Sequence, residues 1–202
     1  SGRRLSITEL DSSVETYGYD ALGRLVTETR TGTGPRTATH AYDAVGNRVL
    51  AVRDGVPTAY AYDVDDRVLT GGAATYAWNA NGNLTSRTVG AAVTSYGYDP
   101  DDRLVSVTGG GFATQYQLDH DGRRVRVSTP SGVTRYLVDG ASPYGVSQVL
   151  EERDGGGTLA ARYAIGFEVL ATTRSGAASV FLADPLGSVR ALTDAGGAII
   201  DT

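Results

Sequence analysis

Three groups of residues in this chain have types and spacings that chemistry uses. Aspartates cluster at Asp63, Asp65 and Asp66, at Asp99, Asp101 and Asp102, and at Asp119 and Asp121, and oxygen-rich clusters of this kind hold hard cations. Trp78 lies among Asn79, Asn81 and Asn83. An aromatic plane flanked by amides suits stacking on a sugar ring. His40 and His120 are the two imidazoles, the side chains best suited to proton transfer near neutral pH. None of the three makes a complete site. An EF-hand loop needs Gly at its sixth and Glu at its twelfth position. Counted from Asp63, Asp99 and Asp119, the twelfth positions are Ala74, Gly110 and Pro130, so solvated turns are the favoured reading. The histidines have no Cys or His partner at metal spacing. No Ser-His-Asp order, phosphate loop or dinucleotide fingerprint stands out. The sequence nominates no catalytic residue, no metal and no cofactor.

Composition narrows the classes further. The chain has 202 residues with 27 Gly and 12 Tyr, no Cys and no Met, and all 18 basic residues are Arg. Without Cys there is no disulfide scaffold, thiol catalysis or thiolate metal site. Apolar runs are only a few residues long, too short for a membrane-spanning helix, and no signal-peptide pattern opens the chain. A net charge of −5 argues against nucleic acid as the principal partner. Val, Leu, Ile and Phe number 21, 16, 4 and 3, about 22% of the chain, just above the level at which disorder becomes the default. Tyr must therefore carry much of the burial, and Gly must have positional roles.

The elements that position these residues repeat. Tyr17-Gly-Tyr19-Asp20-Ala-Leu-Gly23-Arg24 is followed by Tyr42-Asp43-Ala-Val-Gly46-Asn47, Tyr60-Ala-Tyr62-Asp63-Val-Asp-Asp66-Arg67 and Tyr76-Ala-Trp78-Asn79-Ala-Asn-Gly82-Asn83. Tyr96-Gly-Tyr98-Asp99-Pro-Asp-Asp102-Arg103 and Tyr116-Gln-Leu118-Asp119-His-Asp-Gly122-Arg123 continue the series, with a fainter Tyr136-Leu-Val-Asp139. The residue before the Asp or Asn falls at 19, 42, 62, 78, 98 and 118, a period of roughly twenty. In an extended strand Tyr-x-Tyr places both rings on one face. Asp-x-x-Gly supplies the preferred first and fourth residues of a type I turn, with Gly taking positive φ. At Asp66 and Asp102 the substitute is Asp, which tolerates that conformation. The residues after each turn, 24–29, 103–108 and 124–129, alternate as return strands. The post-turn arginines read as cross-strand partners of the turn aspartates.

Each unit is thus a β-hairpin, joined to the next by a variable loop such as Thr31–Pro35 or Gly109–Gly111. Single hairpins are marginal in water, so stacking on neighbours supplies the stability. The expected fold is all-β: tandem hairpins forming a curled or spiral antiparallel sheet with a core contiguous across units. Residues 141–177, with Pro143, Gly155-Gly-Gly157 and Ser175-Gly176, are less regular and read as two further hairpins. Residues 161–170 have strand composition.

The repeated Tyr-Asp-x-x-Gly-Arg unit resembles the YD repeat of Rhs-family proteins. The closing stretch, Val180-Phe-Leu-Ala-Asp184-Pro-Leu-Gly187-Ser-Val-Arg190-Ala-Leu-Thr-Asp194, is similar to the start of the Rhs core-associated region. Ala183 and Pro185 depart from the histidine-containing version usual in that family, so no histidine role carries over. The resemblance implies repeats over 1–140, less regular repeats over 141–177 and the start of the core-associated segment over 178–202, one structural unit cut from a larger protein. It implies a shell that encloses a C-terminal toxin or cargo in secreted or surface-displayed proteins, with the remaining repeats and that cargo as partners. It also puts Asp184-Pro185-Leu186-Gly187 beside the family's autoproteolytic Asp-Pro-x-Gly signature. Self-cleavage needs two carboxylates held together, and an Asp-initiated turn is favoured here as at Asp99-Pro100. The alternative function, from another class, is an adhesion module that binds carbohydrate or protein through exposed aromatics. Unpaired sheet edges would also favour edge-to-edge self-association.

Overall fold

The computed structural model describes residues 2–141, 145–166, 169–184 and 188–201. The chain divides into two compact units, Ser1–Thr94 and Ser95–Thr202. The first holds β1 (Ser6–Thr8), β2 (Val14–Tyr19), β3 (Leu25–Thr31), β4 (Arg36–Tyr42) and β5 (Arg48–Arg53). It continues with β6 (Val56–Tyr62), β7 (Val68–Gly71), β8 (Ala74–Trp78) and β9 (Leu84–Val89), and β10 (Ala92–Tyr98) spans the division. The second unit holds β11 (Leu104–Gly109), β12 (Phe112–Leu118), β13 (Arg124–Thr129), β14 (Gly132–Asp139) and β15 (Gln148–Asp154). Its last strands are β16 (Leu159–Ile165), β17 (Val169–Arg174), β18 (Ala177–Ala183), β19 (Val189–Asp194) and β20 (Ile199–Asp201). No helix occurs among the described residues. The all-β hairpin architecture expected from the repeat is the one observed.

Within each unit the chain runs up and down, each strand pairing antiparallel with the next, as in β2–β3, β4–β5, β12–β13 and β18–β19. Strands of one unit contact only their sequence neighbours, so each unit is one sheet thick. Within each unit the Tyr-Asp turns therefore fall on one edge of its meander and the linking loops on the other. Several of those loops are two residues long, for example Asp54-Gly55 with φ of 48° and 80°, the left-handed pair that a type I′ hairpin turn requires.

The return strands do not simply alternate. Tyr19 pairs with Leu25 while Gly18 pairs with Thr27, leaving Val26 as an extra residue. The same one-residue shift follows the turns at Tyr42, Tyr62, Trp78 and Leu118. It recurs at Val138, Ile165 and Ala183. Such a bulge bends the strand and re-aims its side chains. The tyrosine face of β3 thus carries Leu25 and Glu28, three apart, rather than an alternating set.

A one-layer sheet has little deep interior. Among the described residues the buried apolar side chains are Ala51, Ala74 and Ala161, and the repeat aromatics are half-buried. Within each unit the core takes a thin form: rings lie against cross-strand neighbours and arginine stems instead of against a second layer. Gly71 shows the packing. It pairs with Tyr60 on one side and Ala74 on the other, and a Cβ there would lie 3.1 Å from the Tyr60 ring and 3.7 Å from the Tyr76 ring. The absent side chain lets two rings of successive repeats approach across β7.

Candidate functional site

The turn edge concentrates the polar chemistry. In the first unit of the repeat, the Asp20 N–H donates to the Arg24 carbonyl at 3.0 Å and the Gly23 N–H to the Asp20 carbonyl at 2.9 Å. The Asp20 carboxylate accepts the Arg24 N–H at 2.8 Å and the Arg24 Nε at 2.7 Å. Asp63 with Arg67 and Asp99 with Arg103 repeat this, each Nε–carboxylate contact being 2.7 Å. Asp119 holds the Arg123 N–H at 2.9 Å and its Nη1 at 3.3 Å. Where Asn follows the turn, the backbone half of this pattern recurs. Asp43 accepts from Val45, Gly46 and Asn47, and Asn79 Oδ1 accepts from Asn81 and Asn83. Gly82 sits at φ +84°, and Asp66 and Asp102 take the same place at 62° and 59°. The cross-strand partner expected of each turn aspartate is thus a partner inside its own turn.

These contacts hold the aspartates ionised. The backbone N–H four residues on is the strongest influence at Asp20, Asp99, Asp119 and Asp154, and each carboxyl lies below the usual aspartate range. At Asp43 and Asp63 burial pushes upward most strongly, but the combined hydrogen bonds outweigh it. His40 is lowered mainly by burial, then by Arg48 and Arg53.

Turns are also tied to their neighbours. The hydroxyl of Tyr42 donates to the Leu25 carbonyl at 2.8 Å, that of Tyr62 to Arg48 at 3.0 Å, and the Trp78 indole N–H to Val68 at 2.8 Å. Each of these three aromatics thereby reaches back to the first residue of the preceding return strand. Arg24 reaches forward: its guanidinium lies 4.9 Å from the Tyr42 ring centre, and its Nη1 donates to the Asp43 carbonyl at 3.0 Å. Arg48 covers Tyr60 at 4.9 Å and Arg124 covers Tyr116 at 4.3 Å, within cation–π range. Tyr17 instead donates to Glu15, which is 7% exposed and also meets Arg30 and Arg36.

Of the residues singled out from sequence, Tyr17, Tyr19, Asp20, Gly23, Arg24, Tyr42, Asp43, Gly46, Tyr62, Asp63, Trp78, Asn79, Gly82, Tyr98, Asp99, Asp119 and Gly122 lie at or beside these turns. The Asp184 N–H donates to Ser188 O at 2.9 Å, and Arg190 Nε donates to the Asp184 carboxylate at 2.8 Å. Gly187, with Pro185 and Leu186, lies outside the described residues, as do Pro143, Phe167 and Glu168. Two turns of the same build fall on the opposite edge and escaped the repeat pattern. Asp154 accepts from Gly156 and Thr158, and Asp194 from Gly196 and Ala198. The Asp-x-x-Gly spacing was present in both, without the Tyr that marks the other units.

The acidic clusters are already served. The ligand atoms of Asp119, His120 and Asp121 lie within 4.8 Å of one another, but Arg123 contacts both carboxylates, Asp121 at 2.6 Å. Trp78 spends its N–H on Val68, and the Asn79 oxygen counted toward a sugar site is spent within its turn.

An antiparallel meander with Tyr-Asp turns recurring at alternate bends defines a YD-repeat protein. The chain belongs to the teneurin YD-shell family, whose model matches residues 3–201. No curated protein matches it. Among solved structures, the TcdB2–TccC3–Cdc42 crystal structure is similar, with a TM-score of 0.61 and 15% identity over 94% of this chain and 13% of that one. The Tc holotoxin pore of Photorhabdus luminescens, carrying a TccC3 mutation, gives 0.55 and 13% identity over 97% of this chain and 17% of that one. The chain therefore spans less than a fifth of the length of these structural relatives, and the likeness is one of fold.

Proposed function

We propose that this chain is a stretch of wall from an Rhs/YD-repeat shell, and that the shell's work is to keep a C-terminal toxin or other polypeptide cargo apart from solvent and cellular partners outside the cell that makes it. Residues 1–140 supply regular repeats, 141–177 a less regular continuation and 178–202 the start of the core-associated segment. The observation that carries the reading is the one-layer construction: strands of a unit touch only their sequence neighbours, and turn-to-turn bonds lock each hairpin to the next. A wall needs lateral stiffness without thickness, and this arrangement supplies it. The role is structural, and no residue is assigned a catalytic step.

The test uses the natural full-length polypeptide. Its region after the repeats should resist a broad-specificity protease while attached and be digested when expressed alone. Equal digestion in the two settings, or a natural polypeptide with nothing after these repeats, would overturn the proposal.

A further inference from the structure

The face of the second unit opposite the tyrosines carries a row of arginines. Across four adjacent strands, Gln117 on β12 pairs with Arg126 on β13, Arg126 with Arg135 on β14, and Arg135 with Arg153 on β15. Directly opposed like charges destabilise a sheet, and the strand spacing of about 4.8 Å leaves little room to avoid it. Arg153 has an answer on its own face, since Glu151 lies between it and Arg162, with contacts of 2.6 and 2.8 Å. Glu151 as a residue is only 8% exposed. Arg126 and Arg135 have no acidic partner and no hydrogen-bond acceptor among the described residues. The Arg126 Nε–H is withdrawn from solvent with nothing to donate to, a rare condition for a charged donor. Beside it opens a cleft of about 140 Å³ lined by Gln115, Tyr116, Gln117, Arg126 and Ser128.

We infer that Arg126 and Arg135 form a docking site for an acidic polypeptide segment, one of whose Asp or Glu carboxylates takes between them the place that Glu151 holds between Arg153 and Arg162. The internal precedent selects a carboxylate: the protein satisfies the neighbouring arginine pair with one, across adjacent strands of the same face. Guanidinium forks bind carboxylates bidentately, and the Gln115 and Gln117 amides and Ser128 hydroxyl line the cleft with neutral donors. The site stands apart from the wall proposal, since it is built from the opposite face to the tyrosines and asks nothing about cargo.

The probe is fluorescein-labelled hexaglutamate, titrated by anisotropy against the whole chain at low ionic strength, with hexa-alanine and tripolyphosphate as competitors. Arg126→Gln and Arg135→Gln should each weaken hexaglutamate binding roughly tenfold, as loss of one charge-assisted contact does. Arg87→Gln, which removes an arginine without an acidic partner among the described residues of the first unit, should leave it unchanged. Thermal melting of the unliganded variants is the second readout. Relief of the like-charge pair should leave the melting temperature of Arg135→Gln equal to or above that of the parent. Absence of hexaglutamate binding, equal weakening by Arg87→Gln, or a lowered melting temperature in Arg135→Gln would each overturn the inference. Tighter binding of tripolyphosphate than of hexaglutamate would overturn the acidic-peptide assignment in favour of a phosphate ligand.

Discussion

Gly82 offers the sharpest trial of the turn geometry, because there the backbone can be perturbed with nothing else disturbed. Its φ is +84°, and a Cβ built on it meets no heavy atom within 4 Å. Any cost of a side chain is therefore conformational. A residue with a Cβ in the left-handed region costs roughly 1–2 kcal/mol, with a β-branched residue at the upper end. Asp and Asn are several-fold enriched in that region, which is worth about 1 kcal/mol relative to other residues, and Asp66 and Asp102 already hold the equivalent position in sister turns. Gly82→Val should then cost about 2 kcal/mol and Gly82→Asp about 1 kcal/mol less. For a chain of this size 1 kcal/mol corresponds to a shift of roughly 2–4 °C in melting temperature, so Val should lower it by about 4–8 °C and Asp by about half as much. Differential scanning calorimetry of the parent, Gly82→Asp and Gly82→Val reads this directly. An unchanged melting temperature for Gly82→Val would refute the turn assignment. Equal losses for Asp and Val would show that the cost is a contact and not a backbone conformation.

Further outcomes follow from the same geometry. Tyr42→Phe and Tyr62→Phe remove hydroxyls that donate to the Leu25 and Arg48 carbonyls while keeping the ring, so each should cost about 0.5–1.5 kcal/mol in urea unfolding. Because the folded-state values of the turn aspartates are lowered, their stabilisation is complete above the unfolded aspartate value and is lost as pH falls through the folded values. Melting temperature measured from neutral pH downward should drop below about pH 4, and Asp99→Asn should flatten that slope while lowering stability at neutral pH. Asp154→Ala removes an acceptor for the Gly156 and Thr158 N–H groups. It should speed amide hydrogen exchange in β15 and β16 while leaving exchange at the Asp20 turn unchanged.

Local chemistry made the hairpins legible. Tyr-x-Tyr, the Asp that opens each turn and the Gly or Asp at positive φ all act within a few residues, as in the turns at Asp20, Asp63, Asp99 and Asp119. The bulge after each turn was not legible. Arg-Leu-Val-Thr-Glu-Thr over 24–29 reads as plain alternation, and only pairing with β2 shows that Val26 is the extra residue. The turns at Asp154 and Asp194 fall outside the repeat pattern for a different reason: they share the aspartate chemistry but lie on the opposite edge, where no tyrosine precedes them.

The amino-acid sequence by itself determined the period, the strand-turn-strand unit and the face on which the rings lie, because each depends on residues within one hairpin. Tertiary structure decided everything that depends on which residues of different hairpins lie opposite each other. The hydroxyl of Tyr62 on the Arg48 carbonyl, the Arg24 guanidinium over the Tyr42 ring, the glycine gap between Tyr60 and Tyr76, and the Arg126–Arg135 pair all cross hairpin boundaries. Register fixes those neighbours, and a single extra residue changes which side chains share a face. Each bulge is paired into place by the adjoining strand, so the contacts that join one repeat to the next exist only once the strands have met.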